Sequence, residues 1–172
     1  MRPLKPTDTQ ALARFLERLT PETRRLSTFE GYDLTAAQGL CQSINRYDKL
    51  RFVIEPQSSK RIVGLLEFSF DIPETDYKRF GETGTQLDAE TDCRFGPTLA
   101  DDYQDRGLGS RVFPHIVEIA RKFGKKRIIL WGGVLKDNER AIHYYKKQGF
   151  ALAGVFRDQK GREALDMIIS LK

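Results

Sequence analysis

Apolar residues fall on two rhythms along this chain, and the switches between them mark its elements. Leu12, Phe15, Leu16 and Leu19 recur at helical intervals. Thr7 and Gln10 have capping-box spacing, so the pattern predicts a helix over residues 8–19. Thr35 and Gln38 repeat the start signal for a shorter helix carrying Leu40, Cys41 and Ile44. The rhythm then becomes that of strands: "LRFVIE" and "RIVGLLEFSF" flank "PQSSK" and predict an antiparallel pair. Residues 71–90 are polar, acidic and glycine-bearing, which predicts a long working or mobile loop. In "CRFGPTLA", Gly96 and Pro97 interrupt a strand and predict a bulge or splayed edge. Leu108, Val112, Ile116, Ile119, Ala120 and Phe123 describe one face of a helix that stops at Gly124. A strand at "RIILWG", a helix over 138–148 closed by Gly149, and a last strand pair at "FALAGVFR" and "ALDMIISL" complete an α/β (α+β) pattern with a mixed sheet.

Composition fits that outline. The 172 residues, 40% hydrophobic and 31% charged, suit one domain spanning residues 1–172. Cys41 and Cys93 lack CxxC spacing, so a reduced, cytoplasmic protein is expected. No basic-then-apolar leader begins the chain and no apolar run approaches the roughly 20 residues that span a bilayer, so neither export nor a membrane partner is expected. With only His115 and His143 and no HExxH pattern, no metal is expected. Charge changes the picture more. Residues 67–105 hold eleven acids against three bases, and residues 121–162 hold twelve bases against three acids. Such a dipole suits a polyanionic ligand on one side and a cation on the other. The basic residues are spread without interleaved aromatics, so nucleic acid is not an expected partner.

The candidate chemistry lies in "DDYQDRGLGSRV", where Gly107 and Gly109 stand at the mouth of the long apolar helix. A helix start leaves N–H groups unpaired and carries partial positive charge, and glycine lets phosphate oxygens approach. No Lys-Ser/Thr follows Gly109, which excludes a P-loop, and GxGxxG spacing is absent.

Gln104-Asp105-Arg106-Gly107-Leu108-Gly109 resembles the Gln/Arg-x-x-Gly-x-Gly/Ala motif of GNAT-type N-acetyltransferases. "NERAIHYYKKQGF" is similar to a second family segment at Asn138, Ala141, Tyr145, Gly149 and Phe150, and "MRPLKPTD" looks like the family's first strand and helix. The resemblance covers essentially the whole chain. It implies the GNAT fold: a mixed, mostly antiparallel sheet with a splayed strand pair and helices on both faces. It also implies acetyl-CoA as co-substrate and transfer of acetyl to a primary amine by direct attack. The coenzyme would meet Gln104, Asp105, Arg106, Gly107, Leu108, Gly109 and Ser110. Its pantetheine arm would pair with the backbone of Thr98, Leu99 and Ala100, one of whose N–H groups would serve as an oxyanion donor. Asn138 would bond the arm or cap its own loop. Tyr145 would protonate the departing thiolate, while Tyr144 faces the core. A lysine-like amine with a pKa near about 10.4 must lose a proton before attack. Glu67, or water held by it, is the first candidate base and Asp92 the second. The acidic stretch suits a small cationic amine or a protein or peptide amine. A homodimer is compatible with this reading, and the rival function is a non-catalytic acyl-CoA-binding sensor or regulatory module.

Overall fold

The stripe Leu12, Phe15, Leu16 and Leu19 is buried as its spacing demands, and it organises the first of two compact units, Met1–Phe68 with Gly96–Leu108. The computed structural model describes residues 1–46 and 48–171. Strand β1 (Arg2–Pro3) leads through a 3-10 turn into α1 (Thr9–Arg18). The residue at the N-cap position is Asp8, whose side chain makes no cap bond to α1 and closes the preceding 3-10 turn instead, in place of the expected Thr7–Gln10 box. Its carboxylate accepts from the Lys5 N–H at 2.8 Å and from Arg2 at 2.7 and 2.9 Å. Helix α2 (Pro21–Leu26) was not signalled by apolar spacing; Pro21 occupies its first turn and Thr20 caps it. Helix α3 (Leu34–Gln42) is capped by Asp33, which accepts from the Ala36 N–H at 2.9 Å. Ala37 and Cys41 pack with the α1 stripe, Val53 and Leu65 in one core. Strands β2 (Lys49–Ile54) and β3 (Gly64–Ser69) follow as expected, and β1 pairs antiparallel with β2.

The second unit comprises Ser69–Phe95 and Gly109–Lys172. The expected polar loop contains helix α4 (Glu74–Glu82), anchored by buried Phe80 and by Arg79, which donates to both oxygens of Asp166 at 2.9 and 3.0 Å. Strand β4 (Asp92–Leu99) is followed along the chain by α5 (Leu108–Lys122). Strands β5 (Arg127–Leu130) and β6 (Val134–Leu135), helix α6 (Glu139–Lys147), and strands β7 (Ala151–Arg157) and β8 (Glu163–Ser170) complete it. Strand β8 lies between β7 on one edge and β5 and β6 on the other, all antiparallel, whereas β4 and β5 are parallel. The sheet is mixed, as expected. No helix among the described residues is long and apolar enough to cross a membrane.

Candidate active site

At Gly96, β4 passes from buried to half-buried, and the chain beyond it carries most of the expected coenzyme contacts. Its parallel ladder with β5 ends at Phe95 opposite Leu130, followed by the Trp131 N–H donating to the Phe95 carbonyl at 2.9 Å. Backbone groups alternate between the edges of a strand. Pro97, the next residue on that edge, has no N–H, and Leu99 follows it. On the other edge the Ala100 N–H donates to the Val63 carbonyl at 2.8 Å. Ala100 is therefore not an available oxyanion donor, a correction to the expected Thr98–Leu99–Ala100 set. By that alternation Thr98 shares the Ala100 edge, while Leu99 shares the edge of Phe95 and Pro97, beyond the end of the ladder with β5.

A 3-10 turn, Asp101–Tyr103, delivers Gln104. The Gln104 carboxamide donates to the Leu99 carbonyl at 2.9 Å and to the Thr23 hydroxyl at 3.2 Å, and its backbone N–H donates to the Asp101 carbonyl at 3.3 Å. Its side-chain nitrogen thus braces the loop between α2 and the end of β4. The backbone then turns left-handed at Asp105 (φ 56°) and at Gly107 (φ 72°). A Cβ on Gly107 would meet nothing within 4 Å, so glycine here answers a backbone requirement and not crowding. Helix α5 begins immediately after. The N–H groups of Leu108, Gly109 and Ser110 have no intrahelical acceptor and sit at the positive end of 15 residues of helix. Left-handed turns leading into such a start form a concavity of amides suited to a diphosphate, so these residues fit a coenzyme A phosphate group.

Gly109 is glycine for another reason. A Cβ there would lie 3.0 to 3.4 Å from atoms of the Tyr144 side chain, whose hydroxyl donates to the Gly109 carbonyl at 3.2 Å. The Gln148 carboxamide donates to the Ser110 hydroxyl at 3.1 Å, so α6 holds the start of α5 through two side chains. This differs from the expectation that Tyr144 faces the core. Tyr145 is the more buried ring, 8% exposed and 5.3 Å from the Phe150 ring, whereas Tyr144 is half-buried against α5. Burial pushes the Tyr144 hydroxyl up to about 12, and burial raises Tyr145 as well, with Tyr144 alongside adding to the shift. Of the two roles open to Asn138, the structure shows the cap: its Oδ1 accepts from the Ala141 N–H at 3.2 Å.

The candidate bases differ. Glu67 is buried on β3 and accepts from Arg51 Nε at 2.7 Å. Burial pushes its carboxyl up and Arg51 only partly opposes that. Asp92 is fully buried and accepts from Arg127 at 2.7 and 2.6 Å and from the Asp88 N–H at 2.7 Å. Both its oxygens are taken up in joining β4 to β5, which removes it as a base. No group of three or more potential metal-ligating His, Cys, Asp or Glu residues occurs among the described residues. Burial raises both cysteine thiols, Cys93 to about 12, which keeps them unreactive. The role of Tyr144 escaped the sequence reading, because its partner Gly109 lies 35 residues away.

A family model described as the acetyltransferase (GNAT) family matches residues 12–150. An acetyltransferase from Pseudomonas aeruginosa is 27% identical over 128 residues, 74% of this chain. The chain spans only 62% of that relative's length. Among solved structures, a ribosomal-protein-S5-alanine acetyltransferase from Vibrio fischeri is similar with a TM-score of 0.76 and 14% identity, covering 99% of this chain and 92% of that one. A point variant of a spermidine N-acetyltransferase from Vibrio cholerae gives a TM-score of 0.70 and 20% identity over 99% and 94% of the two chains. At such identities the structures speak for the fold.

Proposed function

The chain belongs to the acetyltransferase (GNAT) family, and on that premise we propose that it transfers acetyl from acetyl-CoA to a primary amine by direct attack. The observation that carries this reading is the left-handed turn at Asp105 and Gly107 opening into the first turn of α5. The amides of Leu108, Gly109 and Ser110 would bind the diphosphate, with the Leu99 N–H left on β4 to meet the thioester carbonyl oxygen. The amine lone pair attacks the carbonyl carbon, the carbon–sulfur bond breaks, and the sulfur leaves as thiolate. Tyr145, held protonated across the working range by its burial, donates toward that sulfur. The proton lost by the amine goes to Glu67 or to water next to it, and the upward push of burial on this carboxyl favours its taking a proton.

The acceptor is proposed as a cationic amine, either small or at the end or on the side chain of a protein. Two of the structural neighbours are named for spermidine and for an alanine of ribosomal protein S5, and the exposed acids Glu74, Glu82 and Glu90 supply a negative field. Thiol release from acetyl-CoA, measured over polyamines, amino acids and peptides, tests the reading. Turnover is expected with cationic amines, and Tyr145→Phe should lower kcat by about a hundredfold with little change in coenzyme affinity. Tight coenzyme binding with no turnover on any amine would instead indicate a sensor module.

A further inference from the structure

We propose that Asp101, Thr20 and Thr23 form a latch that positions the coenzyme loop and makes α2 respond to what that loop binds. The proposal rests on reading residues 104–109 as the diphosphate site. The Asp101 carboxylate accepts from the Thr20 hydroxyl and the Thr23 hydroxyl, both at 2.6 Å, and from the Thr20 N–H at 3.1 Å. The Thr23 hydroxyl in turn accepts from the Gln104 carboxamide at 3.2 Å, and the same carboxamide donates to the Leu99 carbonyl at 2.9 Å. One continuous chain of hydrogen bonds thus runs from the cap of α2, through the 3-10 turn, to the last residue of β4.

Its chemistry differs from that of the buried acids held in ion pairs. Glu67, Asp76 and Asp92 are matched to arginines, whereas Asp101 is held by hydroxyls and an N–H, with Thr23 buried. Short bonds to an ionised acceptor are the strong ones. Burial works against the Asp101 carboxylate, but the Thr20 and Thr23 hydroxyls outweigh it and lower its pKa. Thr20 also accepts from the Thr23 N–H at 3.3 Å as the α2 cap, so the first turn of α2 and the loop share the same atoms. Displacing one disturbs the other. On the same turn Asp102 is ion-paired with Arg61, whose guanidinium also lies 5.5 Å from the Tyr103 ring centroid. A loop that must hold left-handed residues ready for a ligand gains from such fixing, because less ordering remains to be done on binding.

Amide hydrogen exchange on the full chain, with and without saturating coenzyme A, tests this. Coenzyme A is expected to slow exchange at residues 105–110 and also at residues 21–26. In Thr23→Val the slowing at 21–26 should vanish and the KM for acetyl-CoA should rise about tenfold, with kcat within about twofold, while Thr23→Ser restores both. Asp101→Asn should move the same quantities in the same direction, which covers a Thr23→Val protein that fails to fold. Protection at 105–110 without any at 21–26 in the wild type overturns the latch while leaving the coenzyme site standing. An unchanged KM in the folded variants does the same. No protection anywhere overturns the diphosphate site itself, and the latch with it.

Discussion

Gly107 and Gly109 look equivalent in the sequence, yet the structure gives them different work. At Gly109 the constraint is the Tyr144 side chain, which a Cβ would crowd at 3.0–3.4 Å, while at Gly107 space is open and only the sign of φ matters. An L-residue forced to positive φ costs roughly 1–2 kcal/mol, with asparagine paying least and β-branched residues most. Coenzyme affinity by calorimetry should therefore fall in the order Gly107, Gly107→Asn, Gly107→Ala, Gly107→Val, with Ala weaker than wild type by about tenfold. A Val variant that binds like wild type would separate this turn from the coenzyme. The motif was legible because its glycines are fixed in sequence. The reason for Gly109 was not, since it comes from a ring 35 residues further on.

Elements with a continuous apolar face were readable and those held by charge were not. Helix α5 matches its predicted face at Val112, Ile116 and Ala120, although Phe123 is exposed at 51% and stacks on Phe70 at 4.8 Å instead of entering the core. Helix α4 was missed because its buried positions include Asp76 and its anchor Arg79 finds Asp166 at a separation of 87 residues, which no local periodicity reveals. Helix α2 is six residues long and depends on Thr23 reaching Asp101, 78 residues away. Within α5, Pro114 is exposed and removes the N–H that would pair with the Ser110 carbonyl, one helical turn behind. Pro114→Ala should thus stabilise the protein by about 1–3 kcal/mol, seen as a higher urea midpoint with an unchanged slope. A lower midpoint would mean that the proline ring packs more than its exposure indicates.

Across the whole chain, the acidic block reads differently once its partners are known. Glu67 pairs with Arg51, Asp76 with Arg79, Asp92 with Arg127 and Asp102 with Arg61, while Asp101 bonds hydroxyls. Much of the charge expected to attract a cationic acceptor is therefore internal bracing, and its titration shapes stability. Asp48 is lowered by its bonds to Arg46 and Lys49. Asp8 and Asp101 are pushed up by burial but lowered on balance by their hydrogen bonds. These three stabilise the fold above the unfolded carboxylate value near about 3.9, and that contribution is lost as pH falls through their depressed folded values. Glu67 and Asp76 run the other way, because burial raises both. The folded protein takes up their protons at a pH where the unfolded chain has released them, so stability gains as pH falls from neutrality toward about 4. Unfolding free energy measured by urea from pH 8 to pH 3 should accordingly hold or rise into mild acid and then drop steeply below pH 4. In Glu67→Gln, which carries no titrating group at that site, the gain in mild acid should shrink while the steep loss below it remains. A wild-type stability that declines steadily all the way from pH 8 would show that the arginine partners, and not burial, govern these two carboxylates.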